Sequence, residues 1–414
     1  MQKLRVAKAS TTFDTLHLLQ GSTELFPAMV AAIDAAQHSV QLETYIFDTT
    51  ASGAEVACAL ERAGQRGVTV RLVVDGFGTP KLTAEWSRRF QSAGVQVLVF
   101  EPIVTFGFFF LPSQWRRLHR KLCIVDDNLA FCGGINILDD FHDPNHGQLA
   151  APRFDFSIRV TGKIVASMQE VTSKLWANLI AQHHGIKKVP ERMLAALESF
   201  SNQNIFTNYK TTYHSQYSAN SYKTGTAYLV LRDNVRNRSA IERAYLHAIG
   251  DARSHIIIAN AYFLPGKKLR RALIHAARRG VKVQLLLQGR YEYFLQYHAI
   301  RPVYGALLSQ GIEIYEYTPS YLHAKVAVVD DVWATVGSSN LDPLSLLLAR
   351  EANIVAHDAP FAKQLRARLE QSILHQSQRV EPEALAKRPW SQRVRDRIAY
   401  IFMRTGLWFL SKRY

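Results

Sequence analysis

Two short motifs in the chain place the same reactive side chains at the same spacing. Each reads His-x-Lys-x4-Asp, with apolar residues between the lysine and the aspartate. The motif residues are His119, Lys121 and Asp126 in the first copy, and His323, Lys325 and Asp330 in the second. Chance can produce one such match in a basic, apolar chain, but a matched pair predicts two half-sites that make one active site.

Each motif is followed by a glycine-containing run that ends in an asparagine. Asn136 and Asn340 both lie 17 positions after their motif histidine (136 − 119 = 340 − 323 = 17). An asparagine after glycines is usually a turn residue, but its recurrence at one spacing predicts a place in the site. Two imidazoles, two ammonium groups and two amides would then surround one cavity.

This set of side chains suits phosphoryl transfer. Lysine and asparagine donate to non-bridging phosphate oxygens and stabilise the charge that gathers there in the transition state. One imidazole can attack phosphorus to form a phosphohistidine, while the other protonates the leaving oxygen and then deprotonates an alcohol. The nucleophile needs an acceptor on its second nitrogen, and the candidates are the downstream carboxylates Asp155 and Glu351.

The motif aspartates are grouped with the catalytic residues, but strand periodicity predicts a supporting role for them. Alternate side chains of a strand share a face, so His323 and Lys325 point the same way. Asp126 and Asp330 lie seven positions after their histidines (126 − 119 = 330 − 323 = 7) and face the other way. We expect them to hold neighbouring backbone in place.

The elements around the motifs are duplicated as well. In the first half, strands over 39–47, 68–74 and 95–100 alternate with helices, and the same order returns after residue 250. Gly67 and Gly280 are predicted to end matching helices. The sequence therefore predicts an α/β fold of two similar halves, each a mixed, mainly parallel sheet flanked by helices. An approximate two-fold axis would relate the halves, with one active site between them.

The predicted organisation has four parts. They are a first half over 1–200, a polar linker over 201–226, a second half over 227–380 and a basic, aromatic tail over 381–414. The first half also carries an apolar insert, residues 103–115, which is interpreted as a wall for an acyl chain or a membrane-dipping loop, with a core strand as the alternative. The tail is typical of an interfacial helix, and a terminal helix docked on the protein's own core is its alternative.

Composition narrows the partner and the compartment. The 414 residues carry a net charge of +16, which favours an anionic partner such as nucleic acid or an acidic membrane surface. Three cysteines without C-x-x-C spacing indicate neither a disulfide framework nor a thiolate metal site. We expect no signal peptide and no transmembrane helix, because no apolar run is long enough.

The motifs resemble those of the phospholipase D superfamily. The stretches Trp333–Ser345, Ile257–Gly266 and Arg232–Asn234 are similar to bacterial cardiolipin synthases, most of all to the B type. The resemblance implies transfer of a phosphatidyl group from one phosphatidylglycerol to a second, through a phosphohistidine, with release of glycerol. It implies His119 as the nucleophile and His323 as the acid and base, although the near-symmetric halves leave that order open.

The resemblance also implies a setting for the enzyme. No metal or other cofactor is required, because one phosphodiester is exchanged for another. The expected partner is anionic phospholipid at the cytoplasmic face of the inner membrane, which the protein would meet peripherally, with no nucleic acid; the sequence does not indicate an oligomeric state.

Four alternatives stay open. They are a hydrolytic phospholipase D, a phosphodiesterase acting on nucleic acid, a non-catalytic lipid-binding module, and a metal site at His119, His142 and His146. The intact pair of motifs disfavours the binding module. Residues 143–147 are predicted to form a loop, which disfavours the helical spacing that a metal pair at 142 and 146 would need.

Overall fold

Two mixed β-sheets, each flanked by helices, form the body of the protein. The computed structural model describes residues 13–102, 116–143, 146–183, 225–233, 237–291, 294–342 and 349–412. The apolar insert over 103–115 lies outside the described residues, and so does the predicted linker up to residue 224.

Within the described residues, the first half contains a seven-stranded sheet and three short strands outside it. Its strands are β1 (Leu16–Gln20), β2 (Ser39–Thr44), β3 (Thr69–Asp75), β4 (Gln96–Phe100), β5 (Arg117–Leu118), β6 (Lys121–Val125), β7 (Leu129–Gly133), β8 (His142–Asp143), β9 (Gly147–Gln148) and β10 (Phe156–Thr161). Its helices are α1 (Gly21–Ala35), α2 (Ala51–Gln65), α3 (Ala84–Ser92) and α4 (Ile164–His183). The sheet order is β1-β10-β7-β6-β2-β3-β4, while β8 pairs with β9 and β5 joins the other half.

The second half repeats this arrangement. Its strands are β11 (Thr226–Arg232), β12 (His255–Asn260), β13 (Lys282–Gln288), β14 (Glu313–Tyr317), β15 (Lys325–Val329), β16 (Trp333–Gly337), β17 (Ala349–His357) and β18 (Ser377–Arg379). Its helices are α5 (Ala240–Asp251), α6 (Lys267–Arg278), α7 (Phe294–Leu308), α8 (Ala359–His375), α9 (Pro382–Ala386) and α10 (Trp390–Lys412). The order β11-β17-β16-β15-β12-β13-β14 matches the first sheet, and β18 extends its edge. The predicted duplication is confirmed.

The expected predominance of parallel strands is wrong. Parallel pairing occurs in β2-β3-β4 and in β12-β13-β14, where helices connect the strands. The motif strands β6 and β15 instead pair antiparallel with their neighbours on both sides. Only a short turn joins each motif strand to the next one, and a connection of that length allows antiparallel pairing alone. Both sheets are therefore mixed, as predicted, but more antiparallel than parallel.

Glycines end the matching helices α2 and α6, as the sequence predicts. Gly67 has a φ of 86° and Gly280 a φ of 88°, both in the left-handed region that a side chain disfavours. Each stands two residues beyond the last residue of its helix, directly after the C-cap, and allows the chain to turn into the next strand.

A shared core joins the two halves. Alternate residues of β6 face different cores: Leu122 and Ile124 belong to the core that both halves share, whereas Cys123 and Val125 pack beneath the helices of the first half. Because β6 is covered on both faces, its sequence is apolar without alternation. The strand that carries the first motif lysine is thus fixed by burial on both sides.

The tail forms helix α10, and one face of it docks on the second half. Ala399 and Met403 are buried in the core of that half. Asp396 accepts a hydrogen bond from Nδ1 of His298 on α7 at 2.6 Å, and both side chains are buried. Docking on the protein's own core, the alternative left open by the sequence, therefore holds for this face. Among the described residues, no helix is long and apolar enough to cross a membrane.

The motif aspartates lie at the hairpin turns, away from the histidines. Asp126 and Asp127 have φ of 47° and 57°, and Asp330 and Asp331 have φ of 51° and 52°, the paired left-handed residues of a tight hairpin turn. The Asp126 carboxylate accepts backbone N–H groups at 2.8 Å from all three residues of the segment 37–39. Asp330 accepts those of Arg253, Ser254 and His255 in the same way. Their grouping with the catalytic residues is therefore not supported by their contacts, which match the predicted supporting role.

We expect Asp126→Asn to destabilise the protein without impairing the chemistry of the folded fraction. Asparagine tolerates the left-handed turn but turns one acceptor oxygen into a donor that faces an N–H. The free energy of unfolding should fall by about 1–3 kcal/mol in chemical denaturation. The neighbouring Asp127→Asn is the control, and a lost activity with an unchanged unfolding midpoint would contradict the supporting role.

Candidate active site

Backbone pairing between the halves positions both motif histidines. The N–H of His119 donates to the carbonyl of Arg350 at 3.0 Å, and the N–H of His323 donates to the carbonyl of Phe154 at 2.9 Å. Strand β5, just before His119, runs parallel to the start of β17, and Phe154 forms an isolated parallel bridge with Leu322. Each histidine segment is therefore held by the opposite half.

The carboxylates that orient the imidazoles also come from the opposite half. His119 Nδ1 lies 3.0 Å from Glu351 Oε1, and His323 Nδ1 lies 2.6 Å from Asp155 Oδ2. The sequence predicts both carboxylates as orienting groups, and the structure brings each to an imidazole. Bonding at Nδ1 leaves Nε2 of each ring as the nitrogen for chemistry. The crossed pairing makes each half-site incomplete without the other half.

Each carboxylate has a different support. The Ser338 hydroxyl donates to Glu351 Oε2, whereas Gly134, which holds the corresponding place in the first half, has no side chain. A Cβ on Gly134 would stand 2.4 Å from Asp155 Oδ1. The glycine therefore makes room for a carboxylate that the shorter aspartate carries close to the backbone.

The motif lysines lie beside the histidines. Lys121 Nζ donates to the carbonyl of His119 at 2.7 Å, and Lys325 Nζ donates to that of His323. Lys325 is fully buried and its Nζ lies 3.8 Å from Asp155 Oδ2. Burial lowers the pKa of Lys121 to about 7, with the charge of Lys325 also lowering it. Two buried ammonium groups so close together favour an anionic ligand.

Mutual electrostatic effects show that the two half-sites form one cluster. Burial, and then the charges of Lys121 and Lys325, lower the pKa of His119. Burial and the same two lysines hold the pKa of His323 well below its ordinary value. Both imidazoles are therefore neutral near pH 7 in the empty site, and a neutral Nε2 carries the lone pair that a nucleophile or base requires.

The two orienting carboxyls differ in their titration. Burial raises the pKa of Asp155 to about 6, although Lys325 and Lys121 oppose the shift. Burial also acts to raise the pKa of Glu351, but the charge and hydrogen bond of His119 hold it below its ordinary value. Glu351 is thus the more firmly ionised partner near neutral pH.

The two asparagines end the loops beside the cluster. Asn136 Oδ1 accepts the N–H of Ile46 at 3.2 Å, which leaves its amide N–H groups as donors. Asn340 is buried, and its Oδ1 has no hydrogen-bond partner in the part of the chain that the structure describes. The amide N–H groups of Asn340 are the atoms that can donate to a phosphate oxygen.

Tyr45 is a neighbour of the cluster that went unrecognised in the sequence. The ring of Tyr45 meets His119 edge-on at 5.0 Å, and Lys121 Nζ lies 5.5 Å from the centre of the same ring. Its position directly after β2, at the carboxyl end of a parallel strand, is the signal that was available. Arg120 forms a buried ion pair with Glu43, so Glu43 supports the motif from the sheet and does not face the histidines.

We expect anion binding to weaken as the pH rises through about 7. Lys121, whose pKa is lowered to about 7 in the empty site, is neutral above that pH. Because the anion binds the ammonium form, binding above pH 7 requires the lysine to take up a proton from solution. The Kd of sulfate, measured as competitive inhibition, should rise about tenfold between pH 6 and pH 8. Lys121→Arg should remove this dependence, and an equal slope in that variant would contradict the assignment.

Sequence and structure comparisons give the family. The family model described as "Cardiolipin synthase, PLD-like domain" matches residues 29–148 and 245–373, one match in each half. The chain belongs to this family. Over 389 residues it is 35% identical to cardiolipin synthase B of Salmonella typhi and 34% identical to that of Escherichia coli K12, covering 94% of this chain and 87% of each relative. Membership makes the chain an enzyme of the cardiolipin synthase type, a phosphatidyltransferase, as its motifs predict.

A solved structure shares the fold at low identity. The phosphatidylserine synthase of Haemophilus influenzae Rd KW20 superposes with a TM-score of 0.66 over 95% of this chain and 96% of its own, at 13% identity. The superposition covers both halves, so the paired arrangement itself is the shared feature. At this identity the likeness supports the fold alone.

Proposed function

We propose that the enzyme makes cardiolipin and glycerol from two molecules of phosphatidylglycerol through a phosphohistidine. His119 Nε2 attacks phosphorus, and His323, which takes up a proton when the anionic phosphodiester binds beside it, protonates the departing glycerol oxygen. The hydroxyl of a second phosphatidylglycerol then gives its proton to His323 as its oxygen attacks phosphorus, which releases His119. The observation that carries this proposal is the crossed pair of imidazole–carboxylate contacts, at 3.0 Å for His119 and 2.6 Å for His323.

The charged and amide groups have matching roles in this proposal. Lys121 and Lys325 bind the non-bridging oxygens, and the amides of Asn136 and Asn340 add neutral donors. Because these donors are preorganised and buried, they favour the charge of the transition state over that of the ground state. Glu351 and Asp155 fix the tautomer of the two rings and stabilise each imidazolium as it forms.

One assay distinguishes phosphatidyl transfer from hydrolysis. Purified enzyme is incubated with phosphatidylglycerol vesicles and, separately, with labelled DNA, without added metal. Cardiolipin with an equal amount of glycerol is the expected result. Phosphatidic acid as the sole lipid product would identify a hydrolase, and nicked DNA with untouched lipid would overturn the lipid substrate.

We also propose that α10 holds the enzyme on the membrane surface. Its undocked face carries Trp390, Val394, Ile398, Ile401 and Phe402, which are 47–73% exposed and follow helical spacing. Arginines 393 and 397 lie beside them. Apolar residues flanked by arginines fit an acidic bilayer, in which each immersed large side chain contributes about 1.5–3 kcal/mol. A peripheral position on the cytoplasmic face of the inner membrane is part of this proposal.

We expect the double change Ile398→Asn and Phe402→Ser to weaken binding to phosphatidylglycerol vesicles at least tenfold in sedimentation. Both side chains are exposed, at 62% and 66%, so folding should be unaffected. Leu374→Ser is the matched control, since Leu374 is 74% exposed on α8. Equal losses in the control and the double variant would exclude α10 as the contact surface.

A further inference from the structure

A groove beside His323 has no role in the chemistry described above. It lies between the carboxyl ends of β12 and β13 and the helices α7 and α10. Its walls are largely apolar, with two arginines at its border; the residues that matter are Phe263, Leu264, Ile300 and Met403, with Arg290 and Arg301. We name it the acceptor groove.

The acceptor groove is joined to the backbone on both sides of His323. The N–H of Ala261, on its wall, donates to the carbonyl of Ala324 at 3.0 Å. Gln288, also on its wall, accepts the N–H of Leu322 through Oε1 at 3.1 Å. A molecule seated in the groove would therefore lie beside the backbone segment that carries His323.

In-line displacement makes this side of the cluster the acceptor's side. The leaving oxygen departs opposite to the attacking nitrogen, and the second alcohol must return along the same line. With His119 bound to phosphorus, that line ends at His323, which takes the hydroxyl proton. A phosphatidyl acceptor must then place its phosphate and chains close to His323.

The two arginines of the groove differ in their availability. Arg301 is committed, because its Nη1 lies 2.5 Å from Glu316 and its guanidinium stacks on Tyr297 at 4.4 Å. Arg290 is exposed and, within the described residues, makes no ion pair. It donates to the carbonyl of Pro319 at 3.3 Å and lies 5.6 Å from the ring of Tyr321. A guanidinium has five N–H donors, so Arg290 retains donors for a phosphodiester.

The surroundings of Arg290 fit a lipid better than a soluble ligand. Tyr291, directly after it, and Phe294 at the start of α7 are 51% and 50% exposed. Met403 of the proposed membrane helix forms part of the groove wall. Asp342 also borders the groove, and its carboxylate suits a glycerol hydroxyl, which an acceptor headgroup carries.

We propose that the acceptor groove binds the second phosphatidylglycerol, with Arg290 on its phosphodiester and the apolar wall against the start of an acyl chain. This inference rests on the proposed synthase activity and on His119 as the nucleophile. In the step concerned, the acceptor oxygen forms a P–O bond as the P–N bond to His119 breaks, and the hydroxyl proton moves to His323. Arg290 binds substrate in this second step alone.

The test compares two reactions of the full-length enzyme on phosphatidylglycerol vesicles. Cardiolipin formation requires the acceptor lipid, whereas exchange of labelled glycerol into phosphatidylglycerol requires the donor step and its reversal only. Arg290→Gln should lower cardiolipin formation about ten- to a hundredfold and leave exchange within about twofold of the unaltered enzyme. Arg290→Lys, which keeps the charge, should fall between the two.

Arg271→Gln is the control, because Arg271 is an exposed residue of α6 that does not line the groove and its replacement removes the same charge. Equal losses of both reactions in Arg290→Gln, or no loss in either, would overturn the acceptor groove while cardiolipin synthesis by the unaltered enzyme stands. Phosphatidic acid as the only product of the unaltered enzyme would overturn the proposed function and the groove together.

Discussion

An enzyme with His323→Asn will accumulate a phosphatidyl group on His119 when the donor carries a good leaving group. With phosphatidyl-4-nitrophenol the phenolate departs without protonation, so the first step no longer needs His323. The second step still does, because an alcohol is a poor nucleophile until a base takes its proton. One equivalent of nitrophenol should be released rapidly, followed by a steady rate lower by about 10^4-fold.

The His119→Asn variant should behave differently with the same donor. Without a nucleophile no covalent enzyme forms, so the burst should vanish along with the steady rate. For the trapped His323→Asn enzyme, peptide mapping should locate the phosphate on the segment that contains residue 119. His375→Asn, an exposed histidine at the end of α8, is the control. Label on His323 in the His119→Asn variant would reverse the two roles.

The near-symmetry of the site explains why the sequence leaves this order open. Both histidines stand two residues before a lysine, both donate a backbone N–H to a carbonyl of the opposite half, and both have an orienting carboxylate. The structure adds an asymmetry that spacing cannot reveal. His323 is oriented by Asp155, and burial raises the pKa of this carboxyl to about 6. His119 is oriented by Glu351, whose pKa stays below its ordinary value because of the charge and hydrogen bond of His119. We infer that the firmly ionised partner suits the nucleophile, which becomes cationic as it attacks.

The features predictable from sequence are those that repeat or that follow local rules. The paired motifs, the duplicated strand order and the glycine ends of α2 and α6 are all visible as spacing. Direction of pairing was less visible, because β6 and β15 are buried on both faces and their apolar runs look like those of parallel strands. The hairpin turns Asp126–Asn128 and Asp330–Val332 hold the missing information, since two consecutive left-handed residues connect only antiparallel strands.

Contacts between distant elements were beyond the sequence. Asp155 and Glu351 are predictable as acceptors, yet nothing in their spacing tells which histidine each one meets. That choice depends on how the halves dock, through the shared core of β6, β7 and β10 with β15, β16 and β17. The docked face of α10 depends likewise on Asp396 meeting His298, 98 positions away. Such pairs are fixed by packing across the whole chain and leave no local periodicity.

The crossed arrangement leads to the second large effect: Glu351→Gln, a change in the second half, should disable the nucleophile of the first. Glu351 Oε2 accepts the proton of His119 Nδ1 at 3.1 Å and so leaves a lone pair on Nε2. A glutamine amide can donate to Nδ1 instead, which stabilises the tautomer with its proton on Nε2. The variant loses both the attacking lone pair and the carboxylate that stabilises the imidazolium. The rate of phosphatidyl transfer should therefore fall about 10^3- to 10^4-fold.

Comparison with Asp155→Asn separates the two carboxylates. Asp155 serves His323, so its replacement should slow phosphatidylglycerol turnover but spare the nitrophenol burst, in which protonation of the leaving group is not needed. Glu351→Gln should abolish the nitrophenol burst. Ser338→Ala, which removes one hydrogen bond to Glu351 and keeps the charge, should stay within about tenfold of the unaltered enzyme. A burst lost in Asp155→Asn and kept in Glu351→Gln would mean that the covalent step uses His323, because each carboxylate contacts one histidine across the boundary between the halves.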